Sequence, residues 1–293
     1  MSLAFYLNIV MSGLLTGLVY GLAALGLSLI FTVTRIVNFA HGALMALGLW
    51  GTTALAARHG MDALLAMPAV AAGLFLGGFL LHRLLIGRVA AAPGHLRTLA
   101  MLGLALILTA GLAALPGAAP AGVTVTGVAL PEADGLAFGP FLFDRIELRA
   151  ALMAGIVTTL LVLFFNLSRT GKAIRACADS PFGARAIGLN VERLQAATFG
   201  LGAAIAGMAG CLLAHHETIR PTSAPDFLAL GLIVALVGGL GSVEGALLGG
   251  MAVGIAEALA GTLLAPPARE LSGCAVLLLV LLLRPQGLLG QSE

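Results

Sequence analysis

The chain has 293 residues, of which 60% are hydrophobic and only 10% are charged, and its formal net charge is +2. Soluble globular domains are usually about 45 to 50% apolar, so this composition excludes a soluble domain and predicts that lipid surrounds most of the chain. The small net charge gives no indication of nucleic-acid binding, and Cys177, Cys211 and Cys274 are too far apart in sequence for a disulfide framework or a zinc site.

Long apolar runs follow one another along the chain and predict membrane-spanning helices, each of which needs about 20 apolar residues. They cover residues 9–31, 40–57, 64–85, 96–115, 150–165, 194–214, 227–264 and 271–283. The first run has no Lys or Arg before Arg35. It therefore lacks the basic start of a cleavable signal peptide and is expected to remain as a span.

A glycine cluster interrupts the long seventh run. Gly238, Gly239, Gly241 and Gly245 should divide it into a short piece and a longer one, because glycine weakens a helix interior. The sequence therefore predicts a single all-α polytopic membrane domain over residues 1–293, with eight or nine transmembrane helices and a broken or re-entrant segment.

Two polar residues stand at the start of the second run. Asn38 and His41 are three positions apart and would share one helical face. Polar groups at membrane depth usually face the bundle interior or a water-filled path, which makes both residues candidates for a translocation path. The alternative is an ordinary helix start, with Asn38 as its cap and His41 at the level of the lipid headgroups.

The loops are distinguished by their charge. The stretch at residues 169–193 holds five of the fifteen Lys and Arg residues, so the positive-inside rule places it in the cytoplasm. Its segments 171–178 and 182–188 are predicted to be two short helices joined at Pro181. The loop at residues 116–148 is rich in turn residues and is predicted to be a hairpin or an ordered cap on the extracytoplasmic side. The N-terminus would then lie outside, and nine crossings would place the C-terminus inside.

Two acidic residues lie in the last third of the chain. Glu244 follows the glycine cluster and is interpreted as either a gate residue or the tip of a polar turn. Glu257 lies in the middle of an apolar helix, where a carboxylate must be protonated, paired or solvated by a cavity. A functional role and a structural ion pair are both open for it.

Four blocks of sequence resemble those of branched-chain amino acid ABC transporter permeases of the LivH type. They extend from Gly17 to Gly290 and read GLVYGLAALGLSLIFTVTRIVNFAHGALMALG, RTGKAIRACADSPFGARAIGLNVERLQAATFGLGAAIAGMAGCL, LVGGLGSVEGALLGG and LLLRPQGLLG. The resemblance implies that the second block begins with a cytoplasmic coupling helix that docks on an ATPase subunit. Residues with that implied role are Arg175, Ala176, Asp179, Pro181, Ala184, Arg185, Gly188 and Asn190.

The resemblance implies a complete importer of which this chain is the permease. Its partners would be a second related permease subunit or a second copy of the chain, two ATPase subunits and an extracytoplasmic solute-binding protein. No cofactor would bind this chain, and ATP with Mg²⁺ would bind the ATPase subunits. The machine would sit in the bacterial inner membrane and work by alternating access. Leucine, isoleucine and valine are the implied cargo, and similar permeases carry urea, short amides or other amino acids.

Two other functional classes fit parts of the pattern. A faint repeat between residues 24–48 and 229–254, together with His41 and Glu257, would suit a stand-alone proton-coupled carrier. An ordered basic loop is unnecessary for such a carrier. An intramembrane enzyme is the other alternative, but the sequence has no spaced nucleophile, metal-ligand or nucleotide motif that would support one.

Overall fold

The computed structural model describes residues 3–60, 62–89, 92–115, 136–138, 141–213, 223–264 and 267–290, most of which are helical. The helices are α1 (Leu3–Thr34), α2 (His41–His59), α3 (Ala63–Leu81), a single wider π-helical turn (His82–Ile86), α4 (Gly87–Val89), α5 (Gly94–Ala113), α6 (Arg145–Leu167), α7 (Arg169–Asp179), α8 (Pro181–Ala186), α9 (Val191–Leu213), α10 (Ala224–Gly238), α11 (Val243–Leu263) and α12 (Ala268–Leu283). Strands β1 (Leu136–Phe138) and β2 (Phe141–Phe143) pair antiparallel, with Leu136 opposite Phe143.

Six of the described helical segments are long and apolar enough to cross a membrane. They are α1, the segment from Leu64 to Val89, α5, α6, α9 and α11, and the segments Ala224–Gly238 and Leu271–Leu283 are shorter apolar helices. This set confirms a polytopic helical membrane protein, while the number of crossings stays a prediction. Within the predicted outer loop at residues 116–148, the described part comprises the β1–β2 hairpin, Asp144 and the start of α6.

The seventh apolar run is broken at its glycines. Helix α10 ends at Gly238, and Gly239 and Gly241 then adopt φ values of +102° and +91°, which favour glycine because other residues meet a Cβ clash there. Ser242 restarts the helix, since its Oγ accepts a hydrogen bond from the Gly245 N–H at 2.9 Å. The predicted position of the break is correct. Glycines mark it because the chain reverses direction there with a left-handed backbone that other residues rarely adopt.

The chain divides into two compact units. The first contains α1 as far as Leu25, the hairpin, α6 as far as Val157, α10 from Leu230, and α11 and α12 with the segment after them. The second contains α1 from Gly26, α2 to α5, α6 from Thr158, α7 to α9, and α10 as far as Ala229.

In the first unit, α1 and α11 pack backbone to backbone along a line of glycines. A Cβ at Gly17 would lie 2.7 Å from the Met251 Cα, and one at Gly21 would lie 3.0 Å from the Leu247 Cα. Because rising residue numbers on α1 meet falling numbers on α11, the two helices are antiparallel. Small residues permit this close approach, which is the usual source of helix association where no hydrophobic driving force exists.

The first unit also includes a turn that caps α10. After α12, the N–H groups of Leu288 and Leu289 donate to the carbonyl oxygens of Val237 and Gly238, at 2.8 and 2.9 Å. These carbonyls belong to the last turn of α10, where no intrahelical donor exists. Gly287, with φ of +84°, packs against the α10–α11 break, so the segment after α12 completes the end of another helix.

The second unit is organised around α9, which packs against α2, α3 and α7. Most of α9 from Ala196 onward is buried, and its glycines allow close approach of the backbone or side chains of neighbouring helices. Gly48 of α2 lies directly against Gly207, and Thr52 Oγ1 donates to the Cys211 Sγ at 2.6 Å. The glycines of α9 therefore form a packing face.

Candidate functional site

The residues between α6 and α9 form an ordered helical elbow, defined here as residues 169–190. Ser168 caps α7 by accepting from the Gly171 N–H at 2.9 Å, and Ser180 caps α8 by accepting from the Gly183 N–H at 3.0 Å. Pro181 occupies the first turn of α8, where its missing N–H costs nothing. Two serine caps and one proline therefore specify both short helices from local sequence.

One face of α7 fixes the elbow to the second unit. Gly171, Ile174, Cys177 and Ala178 are buried, and α7 contacts α9. A side chain at position 171 would collide with the Phe164 carbonyl. Burial raises the pKa of the Cys177 thiol, an effect partly opposed by the nearby positive charge of Arg185. The thiol is thus a packing group, and the elbow is held as a rigid feature.

The eight residues that were predicted to couple to an ATPase lie on this elbow, and the structure places most of them in solvent. Arg175, Asp179, Pro181, Arg185, Gly188 and Asn190 are exposed. Ala176 is half-buried and Ala184 is buried. Two of the exposed residues also shape the elbow, because Gly188 turns the chain with φ of +84° and Asn190 Oδ1 accepts from the Arg193 N–H at 2.9 Å.

Two further residues of the elbow were not predicted as site residues. Phe182 is 84% exposed and Ile187 is 72% exposed, although both are large and apolar. Most other exposed large apolar side chains of the described residues lie on apolar helices, whereas these two lie in a polar, basic segment. Two such groups close together in a basic segment make the elbow a candidate protein interface. The signal was available in the sequence as FGARAI, an apolar residue on each side of Arg185.

The two polar residues at the start of α2 are both buried. Asn38 is 1% exposed and His41 is 0% exposed. His41 lies beside α1, where a Cβ on Gly26 would be 3.1 Å from the His41 Cε1. Asn38 is not the N-cap residue of α2, since Ala40 occupies that position, but its Oδ1 accepts from the Ala40 N–H at 3.1 Å. Both interpretations of Asn38 and His41, as path residues or as an ordinary helix start, stay predictions.

Glu257 of α11 belongs to a three-residue cluster in the first unit. The Tyr20 hydroxyl donates to Glu257 Oε2 at 3.0 Å, and Arg269 Nε lies 3.3 Å from the same oxygen. Arg269 also donates through Nη2 to the Tyr20 hydroxyl at 2.9 Å. The carboxylate is buried and the guanidinium is half-exposed. Of the interpretations left open by the sequence, the structure has the ion pair, and it joins α1, α11 and the first turn of α12.

Glu244 lies in the first turn of α11, just after the Ser242 cap, and its side chain is exposed. An acidic residue in the first turn of a helix interacts favourably with the positive end of the helix dipole. The gate and polar-turn interpretations of Glu244 both stay predictions. Among the described residues, no group of three or more His, Cys, Asp or Glu side chains is arranged to hold a metal ion.

Comparison with known families gives a match to nearly the whole chain. The family model described as the permease component of the branched-chain amino acid transport system matches residues 9–283. The high-affinity branched-chain amino acid transport system permease protein LivH of Escherichia coli K12 is 32% identical, over 99% of this chain and 97% of the relative. The corresponding protein BraD of Pseudomonas aeruginosa is 29% identical, over 98% and 97%.

A solved structure resembles this chain in its fold. PsaBC from Streptococcus pneumoniae, in complex with a Fab, aligns with a TM-score of 0.51 and 14% sequence identity. The alignment covers 95% of this chain and 93% of the other. At this identity the likeness concerns the arrangement of helices, so it supports the polytopic architecture and carries no information on cargo.

Proposed function

Since this chain belongs to the family of branched-chain amino acid ABC transporter permeases, we propose that it forms the translocation path for leucine, isoleucine and valine across the bacterial inner membrane. The observation that carries this proposal is a similarity to LivH that extends over 99% of the chain. The chain is a multi-pass permease subunit and not an enzyme. The same machine with urea, short amides or other amino acids as cargo is the second candidate.

The energy for transport would come from two partner ATPase subunits, which would hold ATP and Mg²⁺. The sequence of this chain has no nucleotide-binding motif, and its elbow offers a rigid surface to a partner. We propose that the exposed residues of the elbow dock into the ATPase as a coupling helix. Closure of the ATPase pair on binding ATP would then move the elbow, and with it the helices that carry it.

We further propose that the nine long or apolar helices α1, α2, α3, α5, α6, α9, α10, α11 and α12 give nine passages, with α10 as the short piece of the broken segment. The chain would act as one permease domain over residues 1–293, with its N-terminus outside and the elbow inside. The loop at residues 116–148 would then face the solute-binding protein. A second related permease, or a second copy of this chain, would complete the pair.

Within this arrangement we assign the path to the start of α2, where Asn38 and His41 are buried away from lipid. The exposed Glu244 remains a candidate for the cytoplasmic end of the path. Glu257 is assigned to a structural tie, because its carboxylate is already bonded to Tyr20 and Arg269.

The decisive experiment is uptake of labelled solute into vesicles that contain the permease pair, its two ATPases and its solute-binding protein. Uptake of leucine that requires ATP would support the proposal. Uptake of urea or short amides alone would support the same ATP-driven importer with a different cargo. Uptake without ATP or partners would instead identify a stand-alone carrier and would exclude the importer.

A further inference from the structure

The chain between α1 and α2 runs back into the protein after α1 ends. Helix α1 ends at Thr34, yet His41 lies beside Gly26, eight residues earlier on the same helix. Eight residues correspond to about 12 Å of helix. Arg35 begins the reversal with φ of +53°, and the non-helical residues that follow include the buried Asn38. Helix α2 therefore starts beside the interior of α1, about 12 Å back along the axis of α1 from its C-terminal end.

Helix α9 provides an independent measure of the same depth. Gly48 lies against Gly207, and Thr52 is bonded to Cys211, so α2 and α9 run parallel with a constant offset in residue number. The same offset brings His41 level with Gly200, which is nine residues, or about 14 Å, from the start of α9. Both measures place the start of α2 about 12 to 14 Å inside the ends of α1 and α9, and therefore within a hydrocarbon core that is about 30 Å thick.

A second helix starts at this place. Gly42 is in backbone contact with the carbonyl of Ala224, the first residue of α10, and a Cβ at Gly42 would lie 2.6 Å from the Leu228 N. Helix starts carry N–H groups without intrahelical acceptors and a partial positive charge. Two such helix starts meet inside the second unit. Ala224 at the start of α10 is buried there, whereas the acidic Asp226 in the first turn of the same helix is exposed.

The side chain of Asn38 adds a donor without an acceptor. Its Oδ1 accepts from the Ala40 N–H at 3.1 Å, which fixes the orientation of the amide because its nitrogen cannot accept a hydrogen bond. Its Nδ2 is buried and has no hydrogen-bond partner among the described residues. Since Ala40 immediately precedes α2, the rigid amide holds Nδ2 at the start of that helix. A buried donor without a partner calls for a ligand or a water.

We propose that the start of α2, where no side chain accepts from the N–H groups of Gly42 or Ala43, and the Asn38 Nδ2 bind the carboxylate of the amino acid solute within the membrane. All the groups named are hydrogen-bond donors, and together with a positive helix end they match a carboxylate rather than an ammonium group. Irregular backbone at membrane depth is tolerated where it lines a cavity, which fits a segment that contacts a solute. This assignment rests on the amino acid cargo proposed above.

The first test replaces Asn38 by Asp in the complete transporter. Asn38→Asp keeps the size of the side chain but exchanges the donor for a carboxylate oxygen, so ATP-driven leucine uptake at pH 7.5 should fall at least tenfold. Asn38→Ser retains a donor and should remain within threefold of the wild type. Asn8→Asp makes the same chemical change near the start of α1 and should leave uptake unchanged.

A pH series separates hydrogen bonding from a loss of folding. A protonated Asp can donate, so uptake by Asn38→Asp, taken as a ratio to the wild type at each pH, should recover severalfold between pH 7.5 and pH 5.5. Normal uptake by Asn38→Asp at pH 7.5 would overturn the carboxylate site while leaving the importer intact. A wild-type transporter that carries no leucine would instead overturn the proposed cargo.

Competition identifies the bound group. In nanodiscs that contain the permease pair and ATPases without binding protein, 4-methylpentanoate should displace labelled leucine, whereas leucinol, which lacks a carboxylate, should not. Equal displacement by leucinol would contradict recognition through the carboxylate. Equal displacement by chloride would mean that the site holds an inorganic anion only.

Discussion

Phe182 offers the sharpest test of the coupling surface, that is, of the exposed residues of the elbow that are proposed to dock into the ATPase. A buried aromatic side chain removes about 150 to 250 Å² from water. Because Phe182 is 84% exposed, about 170 Å² of this area is available to a partner. At about 25 cal/mol per Å², complete burial would be worth about 4 kcal/mol. Alanine would keep part of that contact, and ordering of the interface offsets another part.

We therefore expect Phe182→Ala to weaken ATPase binding by about 2 to 3 kcal/mol, or roughly 30- to 150-fold in Kd. The assay is equilibrium binding of the labelled ATPase to the permease in nanodiscs, with ATP hydrolysis measured alongside. Leu282 on α12 is equally exposed, at 84%, and Leu282→Ala provides the matched control because that residue lies on an apolar helix. A Kd for Phe182→Ala within threefold of the wild type would refute the coupling surface.

Three other changes probe the packing of the units, each measured by thermal unfolding in detergent. Arg269→Gln removes the cation that pairs with the buried Glu257 carboxylate and should destabilise the protein by about 2 kcal/mol. The loss is smaller than for a fully buried pair because the guanidinium is half-exposed. Adding Glu257→Gln should restore part of the lost stability, and a larger loss in the double variant would contradict the ion-pair assignment. Gly48→Ala forces a methyl group into the backbone of α9 and should lower the free energy of unfolding by about 1 to 3 kcal/mol. Gly103→Ala on α5 is the control, because position 103 has open space around it and the substitution should cost no stability. Equal effects of the two substitutions would contradict the α2–α9 contact. Gly287 has a left-handed backbone and packs against the α10–α11 break, so Gly287→Ala should lower the free energy of unfolding by about 1 to 2 kcal/mol. An unchanged melting temperature would mean that the turn after α12 is not needed to cap α10.

The helices themselves were predictable from sequence because hydrocarbon imposes a simple rule. A span must be apolar and satisfy its own backbone, so long apolar runs and helices coincide closely, as for the run at residues 96–115 and α5. Local signals were equally reliable at the elbow, where Ser180 and Pro181 specify the start of α8 within a few residues of sequence.

Long-range contacts were not predictable in this way. Glu257 could be recognised as costly, yet nothing local indicates that its partners include Tyr20, 237 residues away, and Arg269, 12 residues further along the chain. The burial of Asn38 and His41 was not predictable either, since the same sequence pattern fits a helix start at headgroup level and a buried segment. Their burial depends on helix register, which places His41 beside Gly26 of α1 and which periodicity does not contain.

The pairing of α1 with α11 has a consequence for how the chain is made. Gly13 contacts Gly254, so 241 residues must be added after the first glycine before its partner exists. At about 5 to 20 residues per second, α1 waits roughly 12 to 48 s in the membrane with its glycine face uncovered. Such faces associate readily with other small-residue helices. During synthesis the glycine face of α1 is therefore available to other helices before its own partner in α11 exists.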